Sequence, residues 1–279
     1  MRWQGGRPQL LWERDRVSPL PLGGPFGFAV VGTRRCLGAQ GLPCPRRADL
    51  PGDSTRALCA DCTAFDRRHS VAADTAMDDP RPFRLYLAWF GPGLLKLGIT
   101  AAERGDARLL EQGALAFTWL GEGPLAATRR AESALGAAHG IPDRMRIGAK
   151  RAARTSAAGV PAVEAAGQLL AAADALQTSS AWPDTLATLS PAVVDQRRVF
   201  RLPAAGPAPE VAVTSLHPGA TAVGRLVAVV GSDAYVDLDL GRRALLPLPL
   251  LAGWSLTRPA GPTTAPLADL PAPADPGLF

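Results

Sequence analysis

The chain has 279 residues, 47% of them hydrophobic, and 30 Lys and Arg against 25 Asp and Glu leave a net charge of +5. At roughly 150 residues per domain this is one large domain or two small ones, with apolar material enough for a core, which excludes a wholly disordered chain. No apolar run reaches the roughly 18 residues of a membrane span, and the charges at Arg2, Arg7, Glu13, Arg14, Asp15 and Arg16 leave no secretory signal, so a soluble, cytoplasmic protein without a membrane partner is expected.

Residues 1–35 read as short strands and turns, with Phe26-Gly27-Phe28-Ala29-Val30-Val31-Gly32 the clearest strand. All four cysteines follow in one window, spaced Cys36-x7-Cys44-x14-Cys59-x2-Cys62. In a reducing compartment such a cluster points to metal rather than disulfides. Two residues between Cys59 and Cys62 form a tight knuckle around one tetrahedral zinc, and the turn-rich Leu37–Pro43 insert can fold Cys36 and Cys44 back on each other. Four unrelated buried cysteines, or a redox Cys-x-x-Cys pair, would satisfy the same count. His69 is a spare candidate ligand. Four thiolates complete a closed Zn2+ site with no open position, so this metal would be structural.

The centre is the most patterned part. Phe83–Phe90 reads as a strand, Gly91-Pro92-Gly93 as a turn and Leu94–Thr100 as a second strand. That hairpin pairs Phe90 with Leu94, Ala88 with Lys96 and Tyr86 with Gly98. Arg84, Tyr86, Lys96 and Gly98 then share one face, with Tyr86 and Lys96 diagonal neighbours and an open patch at Gly98 beside the Tyr86 ring. A helix is expected over 105–112 with Gly113 as its stop, a strand over 114–120, and a second helix from Pro124 to about His139. On that helix Glu132 sits beside the apolar stripe, where a carboxylate needs a partner, a metal or a task.

Residues 158–178 read as a helix, 181–210 as a Pro-interrupted connector, and 211–257 as strands of a small β-barrel or meander. The Pro- and Ala-rich residues 258–279 read as a disordered tail. The domains expected are 1–80 (N-terminal strands and four-cysteine zinc module), 81–155, 156–210 (helix and connector), 211–257 (β-subdomain) and 258–279. The fold class is α+β. Arg144, Arg146, Lys150, Arg151 and Arg154 form a basic run that reads as a solvated face, or as a track for a phosphate backbone. Of the 30 basic residues only Lys96 and Lys150 are Lys, and with Ala, Gly and Pro also frequent the Arg bias fits GC-rich coding, so the charge permits phosphate binding without demanding it.

The order strand, strand, helix, strand, helix over residues 81–155 resembles the GIY-YIG nuclease superfamily. Arg84-Leu85-Tyr86 stands at the first name motif and Lys96-Leu97-Gly98 at the second; Arg84 and Lys96 replace the first glycine and second tyrosine. Arg108 matches the helix arginine and Glu132 the metal-binding glutamate. The cysteine cluster, Asp78-Asp79-Pro80-Arg81-Pro82, Leu85–Gly93, Glu111-Gln112-Gly113-Ala114 and Asp143-Arg144 also resemble a bacterial family, domain of unknown function 2797. The superfamily resemblance implies phosphodiester hydrolysis, with Mg2+ or Mn2+ on Glu132, Tyr86 or Lys96 as general base and Arg108 on the phosphate. The expectation is a metal-dependent nuclease or nucleic-acid-processing protein acting on DNA or RNA. The alternative is a zinc-stabilised, non-catalytic DNA- or RNA-binding module with a degenerate nuclease site.

Overall fold

The computed structural model describes residues 1–68, 79–202 and 206–271. Among these, residues 8–68 and 206–271 form one compact unit, and residues 2–7 and 79–202 form another. In chain order the first elements are β1 (Arg2–Gln4), β2 (Arg7–Leu11), β3 (Val17–Pro19), β4 (Pro25–Val31) and α1 (Ala60–Arg68). Then come β5 (Pro82–Gly91), β6 (Leu94–Ala101), α2 (Ala107–Gln112), β7 (Ala116–Pro124), α3 (Leu125–His139), α4 (Ile147–Ala157) and α5 (Ala162–Gln177). The short β8 (Ala187–Thr188) and β9 (Val194–Asp195) follow. The last are β10 (Val211–Val213), β11 (Thr221–Val230), β12 (Asp233–Leu238), β13 (Arg243–Pro247), β14 (Ser255–Thr257) and β15 (Leu267–Asp269). The protein is of mixed α+β class.

In the 79–202 unit the sheet runs β6-β5-β7-β8, with β9 also on β7. β5 is central because both its faces are apolar: Phe83, Leu85, Leu87 and Trp89 alternate with Tyr86, Ala88 and Phe90, and all seven are buried. β5 and β6 pair antiparallel with Ala88 opposite Lys96 and Tyr86 opposite Gly98, as the hairpin reading requires. The turn end differs. A register shift after Trp89 places Gly91, not Phe90, opposite Leu94. The extra residue fits because Gly91 lies against the Ala153 carbonyl, where a Cβ would stand 2.8 Å from that oxygen.

α2 starts at Ala107, two residues later than expected, behind a 3-10 turn at Ala102–Arg104. Gly113 ends it at φ 68°, with its N–H on the carbonyls of Leu109 and Leu110. α4 packs on β5, and α5 packs on β5 and β7. The residues read as connector supply β8 and β9 to the edge of this sheet.

The other unit carries a sheet in the order β14-β4-β11-β12-β13-β10-β15. β11, β12 and β13 follow one another antiparallel, as a meander does. β4, assigned from sequence to the N-terminal module, pairs with β11 through Ala29–Thr221 and Gly27–Val223, so the N- and C-terminal strands share one sheet. Residues 258–271, expected as tail, are instead held: β15 pairs with β10, and Thr263 donates its N–H to Asp239 Oδ2 at 3.0 Å. Pro and Ala are poor in strand propensity, but Leu267 and the backbone groups around it complete the edge of an existing sheet.

Candidate functional site

Among the described residues, two clusters bring chemistry-bearing side chains together, one in each unit. The first is built by turns and a helix start. The Cys36 N–H is bound to the Ala48 carbonyl at 2.8 Å. Gly38 reverses the chain at φ +79°, where a Cβ would overlap the Leu42 carbonyl and the Cys44 amide. Cys59 precedes α1, Cys62 lies in its first turn, and the Thr63 N–H closes on the Cys59 carbonyl at 2.9 Å. All four thiols are free. Their sulfurs lie within 4.8 Å of one another, with Cys44 Sγ 3.9 Å from Cys59 Sγ.

A tetrahedral zinc with Zn–S bonds near 2.3 Å has sulfur–sulfur edges of about 3.8 Å, so this donor set fits such an ion. Backbone N–H groups of Cys59 and Gly38 donate to Cys36 Sγ at 3.1 and 3.5 Å. The N–H of Ala48, helped by that of Arg46, holds the Cys44 thiol down to about 6. Burial and the neighbouring cysteines push Cys62 up to about 12. The pocket thus favours a thiolate at one corner and resists it at another, a conflict that a central cation removes. These four residues could hold a metal ion such as zinc. His69, the spare candidate ligand, lies outside the described residues.

The second cluster lies on β5 and β6. Lys96 Nζ donates to Tyr86 Oη at 3.3 Å and to the Leu97 carbonyl at 3.2 Å. The open patch expected at Gly98 is filled by the Tyr86 ring itself, because a Cβ at Gly98 would overlap the phenol oxygen. Trp119 meets Tyr86 edge-on at 6.3 Å and is itself under Arg84, whose Cζ is 5.3 Å from the indole. Arg84 in turn pairs with Glu122 at 2.6 Å. Tyr86 is 1% exposed and Lys96 8%, so both are buried where a strand aromatic and a strand lysine would ordinarily be half-solvated.

α2 supplies a partner that the sequence reading did not assign to the site. Gln112 Nε2 donates to Tyr86 Oη at 2.6 Å. The Gln112 carbonyl accepts from Lys150 Nζ at 3.1 Å, and that ammonium also sits 4.2 Å above the Phe90 ring. The basic run is therefore not wholly a solvated face: Lys150 and Arg154 are buried, their stems packed with α4 on the sheet. A lone Gln at a helix end carries no chemical signature in sequence, and only the register of α2 against β5 reveals it.

Glu132 on α3 is half-buried, and among the described residues it has no hydrogen bond and no ion pair. Burial pushes its carboxyl above the usual carboxylate range; Lys96 pulls it back, Asp143 adds to the rise, and Arg129 and Arg144 lower it. Asp143 is brought to β6 by its neighbour, since the Leu97 N–H binds the Pro142 carbonyl at 3.1 Å. Arg108 is bound elsewhere, with Glu111 3.9 Å away and Glu111 held more closely by Arg104 at 2.6 Å. It lies one helical turn before Gln112, on the same side of α2. The structure thus joins Tyr86 and Lys96 directly and sets Glu132 in the field of Lys96. Among the described residues no contact ties Arg108 to them.

A family model described as a protein of unknown function, DUF2797, matches residues 29–254 of the chain. No curated protein matches, and no solved structure matches. No helix of the described residues is long and apolar enough to cross a membrane.

Proposed function

We propose that this chain, which belongs to the DUF2797 family of proteins of unknown function, is a metal-dependent nuclease of GIY-YIG type with a structural zinc on Cys36, Cys44, Cys59 and Cys62. The observation that carries the reading is Glu132: a half-buried carboxylate, raised by burial, with no partner among the described residues and a lysine in its field. Such a group is costly unless a cation joins it. Glu132 would hold Mg2+ or Mn2+, hard cations that take oxygen ligands. Bound there, the ion would supply charge neutralisation at a phosphate ester. The Tyr86–Lys96 pair would handle the proton of the attacking water. Arg108, free to leave its long contact with Glu111, would grip a phosphate oxygen pair. The substrate would be DNA or RNA.

A second reading rests on a different observation, the burial of Tyr86 at 1% exposure. A phenol closed off from solvent is poorly placed to meet a water or a scissile phosphate, and favours a zinc-stabilised, non-catalytic DNA- or RNA-binding module. The deciding experiment compares wild type with Glu132→Ala on labelled DNA and RNA substrates in Mg2+ or Mn2+. Cleavage by the wild type and its loss in a folded variant support the nuclease. No cleavage, with binding that weakens steeply as salt rises, supports the binding module. Cleavage that survives in Glu132→Ala would overturn the assigned site.

A further inference from the structure

We propose that Cys59 is an oxidation site: a hydroperoxide that reaches it joins Cys59 to Cys44 in a disulfide and releases the metal that the four cysteines hold. The proposal rests on the structural-zinc part of the reading above and not on its nuclease part. Cys36, Cys44 and Cys62 are buried, and Cys59 is partly exposed. Cys59 also lines a cavity of about 590 Å3, whose walls include Pro51, Leu58 and Ala60.

Access and a positive surrounding are what separate a reactive cysteine from an inert one. Arg56 and Arg67 belong to the same cavity lining, and its carboxylate, Asp49, is paired with Arg35. The Arg46 guanidinium, which pairs with Asp61, also stands against Cys59. A guanidinium beside the sulfur is a donor for the oxygen that departs when a peroxide is cleaved.

The chemistry takes two steps. Cysteines that ligate a metal do so as thiolates. The Cys59 thiolate attacks one peroxide oxygen, the O–O bond breaks, and the departing oxygen takes a proton from solvent, leaving Cys59 as a sulfenic acid. The Cys44 thiolate then attacks the Cys59 sulfur, the S–O bond breaks, and the hydroxide that leaves is protonated to water. Two electrons pass from the two thiolates to the peroxide, and two protons come from solvent. Cys44 Sγ is 3.9 Å from Cys59 Sγ, and closing that gap to the bonded distance of about 2.05 Å is within reach of rotation about the two Cα–Cβ bonds. This pairing differs from the Cys59–Cys62 bridge of a redox Cys-x-x-Cys pair. It takes two of the four ligands from the metal, and the two thiolates left do not complete a tetrahedral site.

In the test, full-length, zinc-loaded protein is treated with hydrogen peroxide while a metallochromic indicator follows free zinc. Peptide maps made without reductant locate the bridge, and dimedone, which traps sulfenic acids, locates the first sulfur attacked. The expected result is zinc released in proportion to a Cys44–Cys59 bridge, a dimedone adduct on Cys59, and recovery of bound zinc when reductant and Zn2+ are added. Ala60→Leu narrows the cavity without touching a ligand, and is expected to slow the release several-fold with Tm and bound zinc unchanged. A Cys59–Cys62 bridge, an adduct on another cysteine, or zinc retained in the oxidant would overturn the proposal. So would a folded Ala60→Leu protein that releases zinc as fast as its parent. Protein that purifies without bound metal would sink the zinc reading instead, and the bridge and adduct maps of that protein would still decide whether Cys59 and Cys44 are the oxidised pair.

Discussion

At Glu132 the sign of the pH dependence follows from the direction of its shift. Folding holds this carboxyl above its ordinary value, chiefly by burial. Between the unfolded and folded values the native state binds a proton that the unfolded chain has released, so the stability tied to this group falls as pH rises through that window. Glu132→Gln is expected to raise Tm at pH 7 and to leave it unchanged below about pH 4, where both states of the wild type are protonated. Scanning calorimetry over that range checks it, and a lower Tm for the Gln variant at pH 7 would remove the argument that the carboxylate is strained. A second arm needs no substrate. Mn2+ is expected to raise the Tm of the wild type and not that of Glu132→Gln, because a ligand stabilises by binding the native state. Equal shifts in both proteins would place the ion elsewhere.

Among the turns, the one through Gly38 has the least freedom. It sits at φ +79°, and a Cβ would run into the Leu42 carbonyl and the Cys44 amide, both backbone groups that cannot step aside. Gly38→Ala is expected to cost about 2 kcal/mol or more, and to reduce bound metal measured by mass spectrometry of the purified protein. A variant that keeps full metal and full Tm would show that the loop can be rebuilt. What could be read from sequence here was the spacing of the four cysteines, since ligand chemistry dictates it. The same holds for the β5–β6 hairpin: two strand-like runs about a Gly-Pro-Gly turn set Tyr86 opposite Gly98 and Ala88 opposite Lys96. The bulge at Gly91 depends on the approach of Ala153 from α4, and α4 itself was not visible. Its inner face is made by Lys150, Arg154 and Ala157 rather than by large apolar residues, so hydrophobic periodicity cannot register it. The Arg108–Glu111 contact follows from helical spacing, whereas the bond from Gln112 to Tyr86 depends on how a helix meets a strand far away in sequence.

At the scale of the whole molecule, the unit that holds the cysteines is made from both ends of the described chain, and one buried side chain shows how far the metal's influence would extend. The Arg34 guanidinium donates to the carbonyls of Pro51 and Ser54, between Cys44 and Cys59, and to those of Pro249 and Ala252, between β13 and β14. The Arg35 N–H adds a bond to the Gly253 carbonyl at 2.8 Å. The cysteine loop is thereby fastened to the seven-stranded sheet through a charge that has four carbonyls and almost no solvent. If the loop loosens, Arg34 loses half its partners, and a buried charge left short of partners is strongly destabilising. Stripping the metal with a chelator, or substituting Cys59→Ser, is therefore expected to lower the stability of the unit formed by residues 8–68 and 206–271 as a whole. The unit formed by residues 79–202, which has its own sheet and core, is expected to keep its protection. Hydrogen exchange read peptide by peptide separates the outcomes. Loss of protection in β4 and β11 along with residues 36–62 is the expected result. Loss confined to residues 36–62 would mean that Arg34 does not carry the coupling, and unchanged exchange everywhere would mean that the four cysteines fold without an ion.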